Sequence, residues 1–315
     1  MVEQLQAPPL PQRGRLAAAL DSDLLHAFLH SKLAIAAAAV TVLLVLAAVL
    51  APWVAPHDPF DLRQLNLLDS HLPPAWLPDG DPRYLLGTDD QGRDVLSTIL
   101  YGSRISLSVG ALSVGLAAAL GIVLGLIAGY AGGFLDTLIM RIADVQLTFP
   151  AILIALLIDG TARALFGENR NETLEFWVLV FSIGLSFWVQ YARTVRGSTL
   201  VEKSKDYVLA ARLIGIHPAK ILFRHVLPNV IGPVLVIATI NLALAIITEA
   251  TLSFLGVGLP PTQPSLGTLI RIGNNFLFAG EWWIAIFPGI TLALLVVAIN
   301  LLGDWLRDAL NPRLR

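Results

Sequence analysis

The chain has 315 residues, 56% of them hydrophobic and only 14% charged, against roughly 25% charged in an ordinary soluble domain. That much apolar material exceeds what one core of this size hides from water, which excludes a simple soluble enzyme, and it is the reverse of a disordered composition. The net charge of -2 supplies no basic field for nucleic acid, and the absence of cysteine excludes disulfides, thiolate metal sites and a cysteine nucleophile.

A bilayer span needs about 20 mostly apolar residues, and six sparsely charged stretches qualify, the fourth of them short but uninterrupted. Residues 1–32 read as a polar tail. The first gap, 33–55, is rich in Ala, Val and Leu and closes at Pro52, Trp53 and Pro56. It outruns a signal-peptide core of about 7–15 residues, so it is expected to remain as an anchor. Residues 56–103 are a Pro- and Asp-rich segment beyond the membrane, in which an amphipathic helix starts at Asp94 with Thr88 or Asp89 as its N-cap.

Residues 104–303 hold five more spans, at about 105–129, 136–158, 176–192, 230–252 and 282–303. Tyr130-Ala131-Gly132-Gly133 stops the second span, and Pro150 kinks the third. Between the fourth and fifth spans, residues 193–229 form a long basic connection that breaks at Gly215 and Pro218 into two helical pieces. Residues 304–315 are a second tail. Six spans place both termini on one side, where the basic residues concentrate, so both are expected in the cytoplasm. The predicted fold class is an all-α polytopic membrane protein with six transmembrane helices.

Few polar residues fall inside the spans. Gly121, Gly125 and Gly129 recur every four residues along one helix face, where backbones can approach closely. Arg141 and Asp144 share a face near the inner end of the third span and pair or snorkel there. Glu249, near the outer end of the fifth span, either lines a path or gate together with Ser253 or anchors a loop through hydrogen bonds.

His217 and His225 lie in the basic loop with no carboxylate cluster beside them, and His26 and His30 in the tail, so no metal site is expected. The sequence lacks G-x-x-x-x-G-K-[ST], H-E-x-x-H and G-x-S-x-G, so it offers neither a P-loop nor a catalytic residue. A secondary transporter would carry internal repeats and ionisable sites near the midplane of both halves. An intramembrane enzyme would need paired aspartates, a Ser/His pair or metal ligands within spans. Neither pattern is found.

The basic loop runs Tyr207-Val208-Leu209-Ala210-Ala211-Arg212-Leu213-Ile214-Gly215, then Ile216-His217-Pro218-Ala219-Lys220, and closes at Leu227-Pro228. Such a helix, glycine turn, helix and proline can present a helix to a partner or lie on anionic lipid. The spacing of Ala210-Ala211, Gly215 and Leu227-Pro228 resembles the EAA loop of ABC-type importer permeases, with Leu209 where Glu is named and His225 where Ile is common.

Four further blocks are similar to the dipeptide/oligopeptide/nickel branch: Leu86-Gly87-Thr88-Asp89-Asp90-Gln91-Gly92-Arg93-Asp94, Glu249 to Gly258 with Pro260-Pro261, Trp282-Trp283 with Phe287-Pro288-Gly289, and Asn300 to Asp304 with Leu306 to Pro312. The Gly-Thr-Asp block resembles the second, C-type permease of such systems. Leu266 stands where Trp is usual, and the outer connection from Asp159 to Glu175 is longer than typical.

The resemblance implies a type I ABC importer permease in a bacterial inner membrane. It would form half of a path for di- or oligopeptides, with nickel or another small solute as the alternative cargo. It further implies that Tyr207, Ala210, Ala211, Gly215, His217, Pro218, Lys220, Leu227 and Pro228 dock on an ATPase. The implied partners are a homologous B-type permease, two ABC ATPase subunits, an extracytoplasmic binding protein and membrane lipid. ATP and Mg would be used by those ATPases, with no cofactor held by this chain. The glycine face would then pack within this chain or against the partner permease.

Overall fold

The computed structural model describes residues 23–309 apart from 62, 64 and 168–170. Most of the tail expectations, 1–22 and 310–315 with Arg13, Arg15, Arg313 and Arg315, lie outside the described residues. The main helices are α1 (Asp23–His30), α2 (Lys32–Val49), α3 (Val95–Ala131), α4 (Gly133–Leu147), α5 (Ala151–Phe166), α6 (Glu172–Glu202), α7 (Asp206–Leu213), α8 (Pro218–Phe254), α9 (Leu266–Asn274) and α10 (Trp283–Ala309). No strand occurs among the described residues; Thr88 and Asp94 form one isolated antiparallel bridge.

Five of these helices, α2, α3, α6, α8 and α10, are long and apolar enough to cross a membrane, and α4 with α5 makes a sixth crossing if the bent pair counts as one. The third predicted span is therefore corrected from a kinked helix to two helices meeting at 96°. The cause is local. Pro150 has no N–H and biases Phe149 away from helical backbone, while the Thr148 hydroxyl donates to the Val145 carbonyl at 2.6 Å and closes the end of α4.

Other boundaries shift outward. The amphipathic segment and the second span are one helix, α3, whose 37 residues reach about 55 Å against a hydrocarbon layer of about 30 Å, so it projects beyond the membrane. Its N-cap is Asp94, not Thr88 or Asp89: the Asp94 carboxylate accepts from Ser97 N–H and Ser97 Oγ at 2.9 and 2.5 Å. The loop expected at 193–229 is shorter, because α6 stays helical to Glu202 and α8 begins at Pro218. The expected long outer connection is also mostly helical, since α5 runs to Phe166 and α6 starts at Glu172.

The core lies between α3, α6 and α8. Val109, Ala117 and Leu126 of α3 pack with Ile183, Tyr191 and Val195 of α6, and with Val230 and Val234 of α8. Glycines make the α3–α6 contact close. A Cβ at Gly121 would lie 2.4 Å from Tyr191 Cβ, one at Gly125 2.6 Å from the Ala192 carbonyl oxygen, and one at Gly129 2.7 Å from Thr199 Cβ. The glycine face therefore meets α6 of the same chain. α4 is strapped across α6 by polar pairs. Arg196 Nε and Nη2 donate to Asp136 at 2.5 and 2.7 Å, Trp188 Nε1 donates to Gln146 Oε1 at 2.7 Å, and Asp144 pairs with Arg193 rather than Arg141.

Candidate functional site

One end of the molecule carries the loop singled out by sequence. α7 ends at Leu213, and Gly215 turns the chain with a φ of 78°, a left-handed conformation that favours glycine. His217 caps the start of α8, its Nδ1 accepting from Ala219 N–H at 3.3 Å. The second helical piece does not stand alone. It passes through a wide turn, Leu222–Val226, directly into the span, with Leu227 N–H donating to the Leu222 carbonyl. Pro228 has no N–H to offer the Arg224 carbonyl, which accounts for the widening at this point.

Just past the wide turn, Asn229 Nδ2 donates to the His225 carbonyl at 2.8 Å. Asn229 Nδ2 also donates to the Tyr207 hydroxyl at 3.1 Å, and that hydroxyl donates to Glu202 Oε2 at 2.7 Å. Tyr207 thus joins the end of α6 to the start of the fifth span. Burial, and next the Glu202 carboxylate, holds its phenol above the ordinary value, so it remains a donor. Arg212 lies 4.4 Å over the Tyr130 ring, and Lys203 Nζ donates to the Gly129 carbonyl at 2.7 Å, which ties the loop to the end of α3.

Inward, Val208, Ala211 and Ile221 are buried. Outward, Ala210, Gly215, His217, Pro218, Lys220 and Pro228 are exposed, and so are the large apolar side chains of Leu213 (88%) and Ile214 (76%). A braced loop that exposes large apolar side chains is a docking geometry.

At the opposite end, blocks distant in sequence converge. Asp89 and Arg93, each 2% exposed, form an ion pair at 2.7 Å, and Arg93 Nη1 donates to the Pro261 carbonyl at 3.1 Å. Asp89 also accepts from the backbone N–H groups of Gln91 and Arg93, both at 2.9 Å. Trp283 Nε1 donates to the Thr88 carbonyl at 3.0 Å. Gly87, with a φ of 83°, lets that ring approach, since a Cβ there would lie 3.0 Å from it and 2.6 Å from the Leu72 carbonyl oxygen. The Gly-Thr-Asp, Pro-Pro and Trp-Trp blocks therefore form one platform. Their convergence, and the parts played by Tyr207, Glu202 and Asn229, are what sequence reasoning missed, because spacing carries no information on contacts across so many residues.

Glu249 lies beneath this platform. It is fully buried, accepting from Ser106 Oγ at 2.6 Å and Ser253 Oγ at 2.7 Å. Ser106 in turn accepts from Leu266 N–H at 3.3 Å, so one carboxylate links α3, α8 and the first turn of α9. Neither Glu249 nor Ser253 lines the cavities at the outer mouth.

The comparisons with known proteins agree on one family. Residues 121–315 match the family model of binding-protein-dependent transport system inner membrane components, and residues 22–74 match the N-terminal transmembrane domain of oligopeptide transport permease C. A Haemophilus influenzae protein named dipeptide transport system permease protein DppC is 40% identical over 270 residues, 86% of this chain and 87% of its own. A Pseudomonas aeruginosa protein named di/tripeptide transport system permease protein DppC is 39% identical over 290 residues, 92% of this chain and 91% of its own. Among solved structures, an inward-facing form of the MetNI methionine ABC transporter superposes with a TM-score of 0.52 at 19% identity, covering 68% of this chain and 96% of that one. With the match to more than half of its length, the chain belongs to the family of binding-protein-dependent transport system inner membrane components, as a multi-pass permease subunit of an ABC importer.

Proposed function

We propose that the chain forms half of the path by which di- and oligopeptides cross a bacterial inner membrane, beside a homologous permease. Two separate ABC ATPase subunits would bind and hydrolyse ATP with Mg, and an extracytoplasmic binding protein would deliver the peptide to the outer platform. Both termini lie in the cytoplasm in this reading, which follows from the side on which Lys203, Lys205, Arg212, Lys220 and Arg224 gather. This chain binds no cofactor of its own.

The observation that carries the reading is the exposed pair Leu213–Ile214 on a loop braced to α3, α6 and α8. The ATPases grip α7 and the Gly215 turn. Their closure pulls on α8, which runs without a loop from Pro218 through the wide turn to Phe254, and so reorients the outer half of the path. Glu249 serves as the anchor that keeps α9 seated on α3 during that movement. Cargo follows from the relatives' names and is tested directly. Labelled di-, tri- and pentapeptides, with nickel alongside, are given to a strain lacking this gene and to the complemented strain. Peptide uptake lost and restored supports the reading; loss confined to nickel replaces the cargo while keeping the architecture.

A further inference from the structure

The outer mouth holds two cavities, of about 330 and 370 Å³, which share Phe60 and Gln263. The first lies in the size range of small-molecule pockets, about 300–1,000 Å³. Its apolar wall is made by Phe60, Ile105 and Phe176, and its polar side by Tyr101, Arg104 and Ser108. Tyr101, Arg104, Ile105 and Ser108 are spaced i, i+3, i+4 and i+7 on α3, so a single helix face presents all four. Phe60 stands edge-on to Tyr101 with ring centroids 5.2 Å apart.

Beside Gln263, whose Nε2 is taken by Glu172, the polar side offers three donor groups. Arg104 is exposed and makes no hydrogen bond or ion pair among the described residues, and the hydroxyls of Tyr101 and Ser108 have no partner there either. No acid lines this cavity. Asp58 lies near Tyr101 but outside the lining. Glu172, in the neighbouring cavity, is engaged by Thr262 Oγ1 and Gln263 Nε2, both at 2.7 Å. Arg104 is nine residues into α3, about 14 Å from the start of a helix that overruns the membrane, and so sits at the entrance. A permanent cation beside apolar walls at that depth calls for an anion, and a planar guanidinium suits a carboxylate in two-point contact.

We propose that this cavity receives the C-terminal carboxylate of the arriving peptide. Arg104 pairs with it, Ser108 and Tyr101 donate the remaining hydrogen bonds, and Phe60 and Phe176 flank the last side chain. The inference rests on the peptide-importer reading and adds which end of the cargo is held, and where.

The test uses the complete importer in proteoliposomes with its binding protein, and the probes are Ala-Phe and its C-terminal amide. Arg104→Gln is expected to lower Ala-Phe uptake at least tenfold and leave amide uptake unchanged, with Arg104→Lys recovering part of the loss. Equal slowing of both probes, or of neither, overturns the proposal. Should the wild-type complex refuse the amide, or Arg104→Gln fail to assemble, labelling decides. The chain has no cysteine, so Ser108→Cys offers one maleimide target on it. Ala-Phe is expected to slow labelling from outside at least fivefold, and the amide not to; labelling unaffected by Ala-Phe overturns the proposal. A wild-type complex that carries nickel but not Ala-Phe defeats the peptide reading itself, which is a different result.

Discussion

A single carboxylate can join three helices where water is absent. Glu249 does so through Ser106, Ser253 and, by way of Ser106, the Leu266 N–H. Glu249→Ala would strand both hydroxyls in the interior at a cost of about 1–3 kcal/mol, whereas Glu249→Gln keeps the shape and the acceptor. The expected outcome is a lowered melting temperature of the solubilised complex for the alanine variant, and peptide uptake of unchanged rate and preference for the glutamine variant. A changed peptide preference in the latter would return Glu249 to the path. Asp90 makes a second case at this scale. Burial, and next the Asp89 charge, raises its carboxyl above the ordinary value, and its Oδ1 has no partner among the described residues. A raised acid means that the protonated form suits the fold, so stability is fully present at acid pH and falls as pH climbs through the raised value. Asp90→Asn is expected to melt higher than the wild type at pH 7, with the difference vanishing toward pH 4.

Glycines decide how closely helices approach, and the position of each fixes the sign of a substitution. At Gly125 a methyl would meet the Ala192 carbonyl oxygen at 2.6 Å and Val195 Cβ at 2.8 Å, atoms that cannot move without separating α3 from α6. Gly115, in the same helix, has nothing within 4 Å. Gly125→Ala should therefore cost about 1–3 kcal/mol through overpacking, and Gly115→Ala should gain up to about 1 kcal/mol of helix propensity. Thermal aggregation of the two variants checks the contrast, and equal effects would contradict the seam. That face was legible from the four-residue period alone. The break in the third span was not, because counting apolar residues measures length and is blind to direction. The ends of α6 were misjudged for a related reason. The predicted span ends at 192, where the basic connection opens, yet Arg193 and Arg196 belong to the helix, reach out to Asp144 and Asp136, and hold α4 in place.

For the molecule as a whole, sequence reasoning recovered the apolar crossings and the break at Gly215 in the basic loop, since both are written in local composition. It could not recover how the outer blocks meet or how the loop is braced, because the Arg93–Pro261, Trp283–Thr88 and Asn229–Tyr207 contacts join residues far apart in the chain. In the proposed mechanism those braces carry force from one end to the other. A loop that only docked would need its exposed face; a loop that transmits motion also needs Tyr207 fixed between Glu202 and Asn229. Two substitutions separate these demands. Leu213→Asp places a charge on a side chain 88% exposed, so the chain should insert normally while the purified complex loses its ATPase subunits. Tyr207→Phe deletes only the hydroxyl, so the ATPases should stay bound and hydrolyse ATP while peptide uptake falls several-fold. Measuring bound ATPase, hydrolysis and uptake on the same preparations distinguishes the two. Should Tyr207→Phe transport as well as the wild type, the pull must travel through the backbone of α8 alone, with the Glu202–Tyr207–Asn229 chain reduced to local stability.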